Sequence, residues 1–269
     1  MNNYFQYNNG TNILPAMSIR ISPSQLSKFF DSTSSWYRST LLQEPEDIQN
    51  RTPIELGNCI HAAAAMTFDT GTVDMTQIHT YISSITNPDV DKSAILEQLP
   101  HMIPLVSNYV RTNKPSTSEE FLSFELKPNI FVAGTLDAYS NNGILTDYKT
   151  TGAKSPPTTF PRSYYFQLMT YAWLLRKHNR PITQLRLVYV TRYIDGGISD
   201  KTGKPLKSYP AELHTLNHMI SDDDWSLIDG CLSVIADSIQ LWITRPELRH
   251  ILAQDNRLRQ PPNPVLFKD

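Results

Sequence analysis

The stretch GTLDAYSNNGILTDYKTT, residues 134–151, places two aspartates, Asp137 and Asp147, on either side of a turn, with Lys149 two residues past the second. Asn141-Asn142-Gly143 reads as a three-residue hairpin loop with glycine at a left-handed position. If Ser140 and Ile144 flank that loop, Asp137 lies directly opposite Asp147. Opposed side chains share a face, with Cβ atoms about 5 Å apart. A two-residue loop at Asn142-Gly143 would instead turn Asp137 to the other face. We favour the first register, because Lys149, at period two from Asp147, then joins both acids. Two bare carboxylates this close repel one another, and a hard divalent cation resolves the conflict. Mg²⁺ takes one or two carboxylates together with waters and phosphate oxygens. Such an ion polarises a phosphodiester and activates water. A neighbouring ammonium can hold the water or stabilise charge in the transition state. Without the cation, the same residues would form an exposed hairpin carrying a cross-strand ion pair.

The elements that must hold these groups can be read from pattern. Ser22 followed by Pro23 predicts a helix start, with Leu26, Phe29 and Phe30 as its apolar face. Short helices are expected at 34–42, a buried one at 53–68, and more at 74–86 and 91–113, where Pro100 and Pro104 should break or kink the chain. From Ser118 the character changes. EEFLSFEL, IFVAGTLDAY and GILTDYKT are strand-like runs with turn punctuation. A loop, KSPPTTFP, leads to an amphipathic helix at 162–178 and a strand at 185–194. A glycine-bearing loop follows, with an extended return at 206–216. Ser221, ahead of three aspartates that suit a helix N-terminus, opens a last helix. The tail from Pro246 reads as irregular. Helices, three strands, helix, strand, helix imply an α/β layer architecture around one sheet. We expect a single domain over 1–269, comprising a polar arm (1–17), a helical part (18–117), a core sheet (118–216) and a C-terminal helix and tail (217–269).

Four motifs, in this order, resemble the RecB-type nucleases of the PD-(D/E)XK superfamily. GTLDAY followed by ILTDYKTT is similar to their G-x-h-D…D-Y-K-T core, and GNCIH (Gly57–His61) to a helix motif whose histidine binds metal. QLMTY (Gln167–Tyr171) is similar to Q-x-x-x-Y, and SPSQLSKFF…SSWY, more weakly, to an N-terminal serine segment. The resemblance spans about residues 22–175. It implies a restriction-endonuclease-like core, a central mixed sheet flanked by helices, and a Mg²⁺- or Mn²⁺-dependent deoxyribonuclease. His61, Asp137, Asp147 and the main-chain carbonyl of Tyr148 would hold metal, Lys149 would handle the water, and Gln167 would position it or touch phosphate. Ser22, Gln25 and Tyr171 would contact nucleic acid. The residues themselves leave alternatives open. His61, on the same helix face as Gly57, also reads as a satisfied core histidine, and Tyr171 as core packing. An imidazole ligand favours Mn²⁺ over Mg²⁺, and Gly57 would let its helix approach the sheet closely.

Composition sets bounds. The chain has 269 residues, 40% of them hydrophobic, and a formal net charge of −2, so any DNA surface must be a local basic patch. Lys154 and Arg162, flanking the loop after the catalytic strand, are the best phosphate contacts. Arg176, Lys177, Arg180, Arg192, Lys201, Lys204 and Lys207 follow, and the tail residues Arg249, His250, Arg257, Arg259 and Lys268 could also touch DNA. Two cysteines without C-x-x-C spacing support neither zinc nor an iron–sulfur cluster. Serines stand where CRISPR-associated relatives carry cluster cysteines. No phosphate loop occurs, so no nucleotide is expected and any unwinding must come from a helicase or recombination partner. No run approaches bilayer-spanning length, the N-terminus does not read as a signal peptide, and a cytoplasmic setting is expected. The pattern is compatible with a homo-oligomer without indicating one. An exonuclease is the leading reading. The alternatives are an endonuclease of the same superfamily, a nuclease-fold DNA-binding or assembly subunit, and a metal-site protein that does not act on DNA.

Overall fold

The computed structural model describes residues 4–5, 18–44, 50–198 and 201–248. The expected polar arm, apart from Tyr4 and Phe5, and the basic tail beyond Leu248 lie outside the described residues.

A mixed sheet forms the centre. Its strands are β1 (Ile19–Ile21), β2 (Thr117–Lys127), β3 (Ile130–Ser140), β4 (Ile144–Thr151), β5 (Gln184–Thr191) and β6 (Leu213–Met219), in the order β1-β3-β4-β5-β6 with β2 on the other edge of β3. The pairings of β1 with β3 and of β4 with β5 are parallel, and the remainder antiparallel. One face is covered by α1 (Leu26–Asp31), α2 (Thr33–Trp36), α6 (Arg162–Lys177) and α7 (Asp222–Thr244). The other carries α3 (Thr52–Thr70), α4 (Met75–Ser84) and α5 (Lys92–Asn113). Trp36, Tyr37, Trp173 and Trp242 fill the first core, and the alanine-rich face of α3 packs against Val188 and Val190 in the second. The expected mixed sheet flanked by helices, with a helical N-terminal part, is the fold observed.

Three local expectations differ. Pro23 opens a single 3-10 turn (Pro23–Gln25) before α1, and Ser22 makes no side-chain cap. Its hydroxyl meets Ser24 instead. The helix over 92–113 runs through both prolines without a break. Pro100 and Pro104 are four residues apart on the exposed side, so the carbonyls they leave without intrahelical donors can bond water rather than lie buried. Finally, α7 is long and apolar enough to cross a membrane by length and composition, contrary to the expectation that no run is. Its apolar side, Ile228, Leu232, Ile235, Ile239 and Trp242, is buried in the first core. Its start matches the reading from sequence, with Ser221 and Asp224 forming a reciprocal capping box.

The feature that makes a site is a fork in the sheet. The loop 141–143 takes the three-residue form, with Gly143 at φ +86° and Ser140 opposite Ile144. The β3–β4 ladder then continues for only two more pairs, to Ala138 opposite Thr146. The next pair would be Asp137 with Asp147. There the strands part. β4 goes on beside β5 to Thr151, and the first residues of β3, Ile130–Val132, pair with β1 instead.

Candidate active site

At the fork a side chain replaces the ladder. Asp137 Oδ2 accepts the backbone N–H of Tyr148 at 2.7 Å. Its other oxygen lies 3.4 Å from His61 Nδ1, presented by α3. Glu119 of β2 completes this side, 3.9 Å from the same nitrogen. Glu119 stands where it would face Asp137 across the β2–β3 ladder, and its backbone is left-handed, with φ +48°. That conformation costs a non-glycine residue energy and is held only by its surroundings. One ligand atom from each of His61, Glu119 and Asp137 lies within 4.8 Å of the other two. A nitrogen and two carboxylate oxygens at that spacing fit a divalent cation of the Mn²⁺ or Mg²⁺ type.

On the other arm, Lys149 Nζ lies 2.9 Å and 2.8 Å from the two Asp147 oxygens. Gln167 of α6 donates to Asp147 Oδ1 at 3.1 Å. The Lys149 ammonium also lies 4.9 Å from the centre of the Tyr164 ring. Period-two spacing on β4 puts Asp147 and Lys149 on one face, and α6 lies over that face. The structure therefore brings together His61, Asp137, Asp147, Lys149 and Gln167. It engages the Asp147 carboxylate with Lys149 and Gln167, and adds Glu119 to the histidine side. The Tyr148 ring is buried, edge-on to His61.

The two aspartates differ electrostatically. Burial opposes ionisation of Asp137, but His61, Lys149 and the Tyr148 N–H outweigh it and hold the carboxyl below its ordinary value. Burial dominates at Asp147, opposed by Lys149 and reinforced by Asp137, and pushes that carboxyl up to about 6. Burial disfavours charge on His61, yet Asp137 and Glu119 prevail and hold the imidazole well above its usual range. Glu119 is raised, mainly by burial. Lys149 loses solvation but gains more from Asp147 and Asp137, so its pKa is raised and it stays an ammonium.

Sequence reasoning missed Glu119. It sits in an ordinary alternating strand, and the positive φ that marks it has no signature in its residue type. Two motif residues also take a different role. Tyr171, expected to contact nucleic acid, is buried, with its phenol against Gly134. A Cβ there would meet the Tyr171 hydroxyl and Pro23 Cδ at 2.8 Å each. Gly134 thus lets α6 and the Pro23 turn close down on β3 just ahead of Asp137. At Gly57, by contrast, a Cβ would lie 3.7 Å from Thr150 Oγ1, an ordinary contact, so close approach does not require that glycine. Of the expected DNA contacts, Arg162 is ion-paired with Asp31, Lys154 is exposed beside Tyr209, and Ser22 and Gln25 are half-buried at the turn before α1.

A profile of the PD-(D/E)XK nuclease superfamily matches residues 20–229. The chain is a member of that superfamily. The match runs from within β1 into α7 and so takes in β2 to β5, α3 and α6, which carry the side chains at the fork. No curated protein matches the sequence. Among solved structures, a putative exonuclease from Eubacterium rectale is similar at a TM-score of 0.54 and 12% identity, over 94% of this chain and 85% of that one. The alkaline exonuclease of Laribacter hongkongensis aligns at 0.41 and 9%, over 86% and 93%. A phage-related exonuclease from Haemophilus somnus aligns at 0.36 and 13%, over 80% and 91%. At these identities the first of the three supports the superfamily fold. Both cysteines, Cys59 and Cys231, are free.

Proposed function

We propose that this superfamily member is a divalent-metal-dependent deoxyribonuclease that hydrolyses DNA phosphodiesters, working inward from strand ends. The observation that carries the reading is the fork itself. Three potential metal ligands on one arm and a carboxylate-held ammonium on the other meet where two strands separate. The ligand set we assign is His61, Glu119 and Asp137, with Asp147 and the Tyr148 carbonyl at its border. When bound, a Mg²⁺ or Mn²⁺ ion would polarise the phosphate and lower the pKa of water.

The chain's own groups do the remainder. Asp137, tied to the Tyr148 N–H, fixes the position of β4 relative to the ligands. Lys149 carries a permanent positive charge toward the place where negative charge accumulates during phosphoryl transfer. Asp147 aims that ammonium, and Gln167 holds Asp147. Asp147, with its pKa near 6, can also accept a proton near neutrality.

Action from ends is suggested by the RecB-type motifs and by the exonuclease name carried by the Eubacterium rectale structure. The test is degradation of end-labelled linear DNA beside a covalently closed circle, with Mg²⁺, with Mn²⁺ and with chelator. Loss of the linear substrate alone, only with metal, is the expected result. Cutting of the circle would keep the chemistry and make the protein an endonuclease. DNA binding without cleavage in either metal would make it an assembly subunit.

A further inference from the structure

The basic side chains fall into two groups. Arg162 pairs with Asp31, and Arg180 donates to both oxygens of Glu120 at 2.7 Å and 2.6 Å. Arg176 lies over Trp225, and Lys177 over Trp173. These hold the fold together. Arg192, Lys154 and Lys207 lie elsewhere, and among the described residues none of the three has a carboxylate partner. All three stand beyond the C-terminal ends of the parallel strands β4 and β5, the end at which β4 has parted from β3 and near which it carries Lys149. Arg192 follows β5 directly, and its N–H bonds the Thr151 carbonyl at the end of β4. Its guanidinium lies against Gly152, where a Cβ would come within 2.9 Å of Nη2. Arg192 Nε is buried without a hydrogen-bond partner among the described residues.

Beyond Arg192 the chain forms a two-stranded ribbon, with Ile194 opposite Tyr209 and Ile198 opposite Pro205. Period-two spacing puts Tyr209 and Lys207 on one side of their segment. Lys207 Nζ lies 5.2 Å from the Tyr209 ring centre. Lys154, from the loop after β4, lies 4.5 Å from it. One tyrosine therefore gathers two ammonium groups from separate segments. Asp195, the one carboxylate among the described residues from Arg192 to Ala211, is opposite Ser208 on the other face, where it accepts the Ser208 hydroxyl.

We infer that Arg192, Lys154 and Lys207 form a phosphate track that grips the DNA strand on one side of the scissile bond, with Tyr209 as its fixed post. The inference rests on the deoxyribonuclease reading and adds the path of the substrate. Like charges that lack acidic partners repel one another and attract a polyanion, and these three stand beyond the strand ends that carry the candidate site. Its reach follows from the register. Lys149 is opposite Tyr189, and Ile194 is five residues further, roughly 15 Å in extended backbone. Along one strand of a duplex, at about 3.4 Å per nucleotide, that is some four to five nucleotides from the reacting phosphate, and fewer along an extended single strand.

The test is the salt dependence of affinity for a fluorescent single-stranded oligonucleotide, measured with chelator so that nothing is cut. Wild type is compared with K154A/R192A/K207A, and folding is checked by thermal melting. Each phosphate contact to a single strand contributes about 0.7 to the slope of log K against log salt, so the triple variant should be shallower by roughly two. Should the triple variant melt early, K154Q and K207Q are read singly, each expected to lower the slope by about 0.7. An unchanged slope in a wild type that binds DNA would overturn the track and leave the nuclease reading standing. A wild type that binds no DNA under these conditions would overturn the track, and the cleavage assay decides the nuclease reading separately.

Discussion

Asp137 and Asp147 are the same residue type at opposed positions of one hairpin, yet the structure treats them oppositely. Asp137 faces α3, is bonded by the Tyr148 N–H and lies beside an imidazole, so its charge is stabilised. Asp147 faces α6, is buried beside an ammonium and is pushed up to about 6, so its charge is costly. The first has the environment of a metal ligand. The second has that of a group that holds a lysine and exchanges a proton. The contrast teaches that a pair of carboxylates is divided into roles by the helix each one meets, since the strands that carry them are symmetric about the turn.

The sharpest way to break this contrast is one substitution on each arm. Asp137→Asn keeps the shape but removes the charge shared with His61 and Glu119, so metal binding and cleavage should both disappear. Lys149→Ala should leave metal affinity near that of wild type and lower kcat about 10² to 10³-fold, the usual loss when one transition-state donor is removed. Titration calorimetry with Mn²⁺ and single-turnover cleavage separate the two outcomes. If Lys149→Ala also lost the metal, the two arms would form a single ligand set and the division of roles would fail.

The pKa values give a second test, in the metal-free protein. Asp147 has a folded pKa of about 6 against 3.8 in a model compound. A carboxyl raised in this way favours folding below its unfolded pKa, and that advantage is lost as pH rises through the folded value. Stability should therefore fall between about pH 4 and pH 6, by at most about 3 kcal/mol from this group. His61, also raised, adds a loss of the same sign at higher pH. Asp137, lowered, contributes stability that disappears only as pH falls through its folded value, below this window. Saturating Mn²⁺ should reverse the trend, because ligands must shed protons to bind metal. Urea midpoints across pH, with chelator and with Mn²⁺, decide this. A chelated protein whose stability rises from pH 4 to pH 6 would contradict the assignment of Asp147.

How much of this could be read from the chain depends on range. The turn residues alone left two loop lengths open, and the three-residue register was legible because it alone sets Asp137 opposite Asp147, on the side expected for Lys149. His61 and Gln167 were legible through motifs on helices, where spacing places a residue on a face. The parting of β3 and β4 was not. It depends on β1 taking the opposite end of β3, a contact more than a hundred residues apart in sequence. Glu119 was hidden for a related reason, since its left-handed backbone is imposed by the site rather than by its residue type. The prolines of α5 misled because their cost depends on whether the orphaned carbonyls reach water, which sequence does not show.

The smallest expected effects come from the two residues that brace the arms, and they test whether Glu119 belongs to the metal. Glu119→Gln preserves size and hydrogen bonding but removes a charge 3.9 Å from His61. Gln167→Ala removes the amide that steadies Asp147. If the arms divide as argued, Glu119→Gln should weaken Mn²⁺ binding by roughly 10 to 100-fold and be rescued by excess metal. Gln167→Ala should leave Mn²⁺ affinity alone and lower kcat by roughly tenfold, with no rescue at any metal concentration. Metal titrations of cleavage rate for the two variants therefore have different shapes, one shifted along the metal axis and one lowered in plateau. Identical curves would mean that the left-handed backbone at Glu119 serves packing alone, and the ligand set would contract to His61 and Asp137.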